Sequence, residues 1–159
     1  MTNEERYLFE AIELARSNVE KGGRPFGAVI IKDGEVIATG VNEILATKDP
    51  TAHAELNAIR AASQKLGLAS LDGCKIYASG QPCPMCLAAM YMAGVSGVVY
   101  AYSNEDGAPY GLSTAHVYGE LNKPFAEQFL EIRHIPIREP REVALYAHWK
   151  SSQSKTTDR

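Results

Sequence analysis

The chain has 159 residues and a mass of 17.3 kDa, the size of one compact domain. A content of 45% hydrophobic and 22% charged residues is that of a globular protein, which excludes a disordered or fibrous chain. The net charge of −3, with a sequence pI of about 5.8, does not advertise a polyanion partner and argues weakly against a nucleic-acid substrate.

The segment Met1-Thr2-Asn3-Glu4-Glu5-Arg6 is acidic and polar, unlike a secretory signal. No run approaches the ~18 apolar residues of a membrane span, so the expectation is a cytoplasmic protein away from membranes. The first helix opens on a capping box, Thr2 with Glu5, and carries Leu8, Ala11, Ile12, Ala15 and Val19 at helical spacing until Gly22-Gly23. Residues 26–31 (Phe-Gly-Ala-Val-Ile-Ile) read as a buried strand, and Asp33-Gly34 as a hairpin turn into a second strand at 36–41. Asp49-Pro50-Thr51 opens a helix to about Leu66, with Thr51 as its N-cap.

A third strand covers 74–79. Pro84 suits the first position of the next helix, which Gly94 ends. Strands at 97–102 and 131–137 and helices at 124–130 and 141–150 complete the series. A hairpin followed by alternating helices and strands implies an α/β fold, a mixed sheet covered on both faces. No linker interrupts the pattern, so residues 1–149 read as one domain and 150–159 as a flexible polar tail.

Three cysteines are an odd count, and two stand as Cys83-x-x-Cys86, a spacing that in a reducing compartment favours metal or redox chemistry over a disulfide. Alone, the pair fits a redox couple or half of a structural zinc site. His53-Ala54-Glu55 at the preceding helix start changes that balance, because a redox couple leaves His53 and Glu55 without a role. One imidazole and two thiolates make three zinc ligands and leave a fourth tetrahedral position for water, as a catalytic site needs. Both thiols sit at a predicted helix N-terminus, where the macrodipole favours the thiolate. Glu55, two residues from His53, stands beside the metal without ligating it and can move protons between water and substrate. That combination is the chemistry of hydrolytic deamination.

The pattern His-x-Glu followed by Pro-Cys-x-x-Cys is the signature of zinc deaminases. Through Pro25-Phe26-Gly27-Ala28-Val29, Asn42, the segment Asp49-Pro-Thr-Ala-His-Ala-Glu55 and Pro82-Cys-Pro-Met-Cys86, the chain resembles the cytidine deaminase-like superfamily. It looks most like the bacterial guanine deaminases. The resemblance implies a three-layer α/β/α sandwich with a five-stranded mixed sheet, Zn2+ held by His53, Cys83 and Cys86, and Glu55 as catalytic proton shuttle. It further implies substrate contacts from Asn42, from Phe26 as a pocket wall and from the backbone of Ala54, and a homo-oligomer such as a dimer.

Two departures stand out. Relatives usually carry Glu where this chain has Gln81, a position that is not a ligand in the family. Similar guanine deaminases carry a Gly-Phe-Asp-Asp run whose acid binds the guanine ring, where this chain has Gly111-Leu112-Ser113-Thr114. Thr114 then takes the substrate-binding position with a hydroxyl in place of a charge, and charge-assisted bonds are roughly twice as strong. The expected substrate is a free nucleobase, guanine-type first, with isocytosine or cytosine as the nearest variants. A tRNA anticodon adenosine deaminase and a zinc-stabilised binding domain rank lower, the first because its Lys and Arg residues are not clustered, the second because such a domain gains nothing from Glu55.

Taken alone, Asn42 reads as a turn residue at a strand end. His116, His134 and His148 have no ligand-like partner. Met90, Tyr91 and Met92 read as packing or subunit interface, while Tyr110 and Tyr118 offer at most a stacking surface.

Overall fold

Side-chain alternation along the first strand sets the layers. In β1 (Gly27–Lys32), Ala28 and Ile30 point to one side and Val29 and Ile31 to the other, and all four are buried. A strand buried on both faces needs cover on both, and two sets of helices provide it. The computed structural model describes residues 1–156. By compactness the chain forms two units, Met1–Asn122 and Lys123–Arg159.

Within the first unit, β1 pairs antiparallel with β2 (Glu35–Val41) and with β3 (Cys74–Gly80), and β3 pairs parallel with β4 (Gly97–Tyr102). The spatial order is β2-β1-β3-β4. Helix α1 (Asn3–Glu20) covers one face, where Tyr7 packs with Val29, Ile31 and Tyr77, its ring 5.1 Å from that of Tyr77. Helices α3 (Ala54–Leu66) and α4 (Pro84–Ala93) cover the other, bringing Ala54, Ala58, Cys86 and Met90 onto Ala28, Ile30 and Ile76. The three layers expected from the sequence are therefore present. Their close approach depends on glycine: a Cβ on Gly27 would collide with the Ala11 carbonyl of α1, and one on Gly40 with the Ala54 carbonyl of α3.

Local signals account for several boundaries. Thr2 Oγ1 accepts the Glu5 N–H at 3.1 Å and the Glu5 carboxylate accepts the Thr2 N–H at 2.7 Å, the reciprocal capping box. Asp33 and Gly34 both take positive φ, 51° and 79°, as a two-residue hairpin turn requires. Gly94 closes α4 in the left-handed conformation.

Three expectations are corrected. The sheet has four strands, not five. Residues 131–137 alternate in sequence, yet the second unit holds no other strand among its described residues to pair with them, and Pro136 lacks a ladder N–H. Thr51 is not a helix cap. Asp49 accepts its N–H at 2.8 Å and its hydroxyl at 2.7 Å, which closes a turn, and α3 begins only at Ala54 with His53 as N-cap. Residues 124–130 form no α-helix, only a 3-10 turn at Phe125–Glu127.

The last helix, α7 (Leu145–Thr156), starts later than the pattern suggested and takes in 150–156 of the segment read as a polar tail; residues 157–159 lie outside the described residues. Three short helices were invisible to periodicity: α2 (Ile44–Thr47), α5 (Asn104–Gly107) and α6 (Ala115–Leu121).

Strand direction places the site. β1 runs against both β2 and β3, so β2 and β3 end at the sheet edge where β1 begins. The helix starts that follow them, and Phe26 just before β1, meet at that edge.

Candidate active site

Two helix N-termini supply the three candidate ligands. His53 is the N-cap of α3, with extended backbone at φ −73° and ψ 155°. Cys83 is the N-cap of α4, where its Sγ accepts the Cys86 N–H at 3.4 Å, and Pro84 preorganises the first turn. His53 Nδ1 lies 3.4 Å from Cys83 Sγ and 3.5 Å from Cys86 Sγ. All three donor atoms fall within 4.8 Å of one another, and no other group of three or more His, Cys, Asp or Glu side chains among the described residues is so arranged.

Tetrahedral zinc with bonds of about 2.05 Å to nitrogen and 2.3 Å to sulfur puts nitrogen and sulfur roughly 3.6 Å apart. The observed separations match that edge, so these residues fit zinc. A set of three ligands, one imidazole and two thiolates, leaves one coordination position open, the hallmark of a catalytic site. Cys74 starts β3, at the end away from this edge, and takes no part.

Taken by themselves, the two sulfurs share a proton. Cys83 is drawn down to about 4, first by a hydrogen bond from Cys86 and then by His53, and Cys86 is pushed up as it keeps the proton. His53 is raised by its bond to Cys83. Glu55, on the first turn of α3, is only 6% exposed; burial pushes its carboxyl up to about 7, against hydrogen bonds from its own N–H and the Cys86 thiol. A buried carboxyl that titrates near neutrality beside a metal-ligand set is suited to proton transfer.

The remaining expected residues lie around this edge. Asn42 follows β2 and is buried, its N–H donating to the Phe26 carbonyl at 3.2 Å and its Oδ1 accepting from Ile44. Phe26 lies over Gly80, where a Cβ would stand 3.1 Å from its ring. Ala54, the first residue of α3, is fully buried. Thr114 precedes α6, and its hydroxyl is buried without a hydrogen-bond partner. Its N–H donates to Asn104 Oδ1 at 3.3 Å, and the Asn104 N–H donates to Gln81 Oε1 at 2.8 Å. Gln81 thus ties this segment to the ligand turn.

Sequence reasoning missed Tyr118 beyond a stacking surface. Its hydroxyl donates to the Pro82 carbonyl, next to ligand Cys83, and its acidity is weakened by burial and by Cys83, Cys86 and Glu55. No sequence signal marked it, because α6, which presents it one turn beyond Thr114, was not visible as a helix. His116, His134 and His148 are exposed and join no ligand group. A cleft of about 570 Å³ runs past Phe26, Gln81, Asn104 and Leu112 but contains none of the three ligands. The donor geometry, not this cleft, therefore locates the chemistry.

Residues 1–102 match the cytidine and deoxycytidylate deaminase zinc-binding region. The chain belongs to this family. Among its relatives, a guanine deaminase of Bacillus subtilis is 41% identical over 96% of this chain and 97% of its own length. A tRNA-specific adenosine deaminase of Aquifex aeolicus is 33% identical over 87% and 89%. The X-ray structure of a Bacillus subtilis guanine deaminase matches with a TM-score of 0.81 at 40% identity, covering 96% of this chain and 93% of that one. The protein NE0047, solved in complex with 2,6-diaminopurine, matches with a TM-score of 0.67 at 30% identity over 70% and 62%. The chain is accordingly a zinc-dependent deaminase, a hydrolase, and His53, Cys83 and Cys86 form a possible site for its metal.

Proposed function

We propose that the protein deaminates a free nucleobase, guanine first, with Glu55 as the catalytic proton shuttle. The observation that carries the catalytic part is geometric: the Glu55 carboxyl is buried on the first turn of α3, two residues after His53 and within hydrogen-bond reach of the Cys86 thiol. The near full-length likeness to a guanine deaminase, and a structural neighbour that binds 2,6-diaminopurine, support a purine substrate.

Zinc held by the triad supplies Lewis acidity that makes water nucleophilic near neutral pH. Glu55 accepts a proton from water as the new C–O bond forms and passes it to the adjacent ring nitrogen. It then carries the second proton to the exocyclic amine as the C–N bond breaks, so one water is consumed and one ammonia leaves. Asn42, Phe26, the Ala54 backbone and Thr114 would hold the base: an amide for its polar edge, an aromatic wall for its face, and a buried hydroxyl awaiting a partner.

Residues 1–149 acting as one deaminase domain, a cytoplasmic location and a homodimer belong to the same proposal, as does the absence of a nucleic-acid partner. No helix among the described residues is long and apolar enough to cross a membrane. The likeness to tRNA-specific adenosine deaminases favours one second reading, a tRNA anticodon adenosine. The net charge of −3 weighs against it.

Ammonia release from guanine, isocytosine, cytosine and adenine, offered separately to the zinc-loaded protein, tests the reading. Turnover of guanine above the other three is expected. Silence on every free base, with salt-sensitive turnover of a tRNA anticodon stem-loop, would replace it with the second reading.

A further inference from the structure

Asn18 has no place in the chemistry described so far, yet it is a polar side chain 9% exposed in the last turn of α1. Its Nδ2 donates to the Arg24 carbonyl at 2.8 Å and to the Asn42 carbonyl at 2.9 Å. Both partners are carbonyls, so the amide orientation is fixed by the network itself. Its own carbonyl accepts the N–H groups of Lys21 and Gly23 at 3.1 and 2.8 Å. One residue therefore gathers the helix end, the turn that carries Phe26, and the end of β2 that carries Asn42. The loop closes on itself, because the Asn42 N–H donates to the Phe26 carbonyl.

Packing leaves this amide little freedom. A Cβ on Gly23 would stand 2.5 Å from Asn18 Nδ2 and 2.8 Å from its Cγ, so that position admits no side chain while the amide stays where it is. A buried amide that uses one proton on the turn before β1 and the other just after β2 fixes their separation, since losing either bond would leave a carbonyl short of a donor.

We propose that Asn18 is a positioning residue for the base pocket: its two donated hydrogen bonds, to Arg24 and Asn42, set the spacing between the Phe26 wall and the Asn42 side chain. The inference rests on the reading of Asn42 and Phe26 as substrate contacts. It concerns substrate binding and leaves the metal ligands, which sit on α3 and α4, untouched.

The test compares parent, Asn18→Asp, Gly23→Ala, Asn42→Ala and the Asn18→Asp/Asn42→Ala double variant by zinc content and steady-state guanine deamination. Asn18→Asp keeps the shape but turns oxygens toward two carbonyls; Gly23→Ala displaces the amide without removing it. Zinc is expected at parental content throughout. KM for guanine rises about tenfold in Asn18→Asp, the size of one substrate hydrogen bond lost at Asn42, and in the same direction in Gly23→Ala, while kcat falls by a smaller factor. In the Asn42→Ala background the KM effect of Asn18→Asp shrinks, because both act on the same contact.

A parental KM in both Asn18→Asp and Gly23→Ala, with only a lowered melting temperature, would reduce Asn18 to a helix-end brace and overturn the inference. Should Asn18→Asp not fold, a parental KM in Gly23→Ala overturns it alone. A parental KM in Asn42→Ala refutes the underlying reading instead.

Discussion

The start of α4 and the segment from Asn104 to Tyr118 border the same ligand turn, but they are held in different ways. Around α4 the geometry is local and buried: Cys83 caps its own helix, Cys86 is fully buried one turn on, and both join a core with Ile30 and Ile76. The segment beyond β4 is built from short helices and is fixed by single hydrogen bonds from Thr114 to Asn104, Asn104 to Gln81 and Tyr118 to Pro82. One region is a stiff metal mount, the other a wall whose contacts can change one at a time. Substrate choice can then shift through the wall while the metal site keeps its geometry.

Removing the metal should have the largest effect. Chelation, or His53→Ala, is expected to take ammonia release to background, with recovery of the chelated protein on adding zinc but not magnesium, which prefers oxygen ligands. Variants of Thr114 and Tyr118 keep their zinc; loss of zinc from either would break the contrast between mount and wall.

Next in size is the core beneath the mount. Ile30→Ala should cost about 3 kcal/mol in denaturant unfolding, within the range for buried large-to-small changes. Leu112→Ala, in the half-buried wall, should cost less than about 1 kcal/mol. Equal losses would mean that the wall is as tightly packed as the sheet.

Thr114→Val removes a buried hydroxyl that has no partner, so unfolding should show stability unchanged or raised by about 1 kcal/mol. If that hydroxyl meets the base, KM for guanine rises several-fold in the same variant. A stability gain without a KM change would take Thr114 out of the pocket. Tyr118→Phe leaves the Pro82 carbonyl without its phenol donor and should cost only about 1 kcal/mol, with zinc retained.

The same contrast explains what the sequence made legible. His53 with Glu55, and Cys83 with Cys86, are separated by one helical turn or less, so their spacing alone carried the chemistry. Tyr118 and Pro82 are 36 residues apart, Asn18 and Asn42 24, Gln81 and Asn104 23, and only the folded sheet brings each pair together. Strands 27–32 and 97–102 were readable as short continuous runs of apolar, β-branched and aromatic residues. Residues 131–137 alternate instead, but a strand also needs a partner, and alternation says nothing about one. Thr51 misled for a related reason: its hydroxyl donates to Asp49 in a local turn instead of accepting a helix N–H.

The most direct measurement follows zinc content and ammonia release from guanine in the same samples of parent and Glu55→Gln. The account predicts equal zinc in both and a rate at least about 100-fold lower in the variant, the contribution of a positioned proton-transfer group. Ammonia release at the parental rate with zinc in place would contradict it.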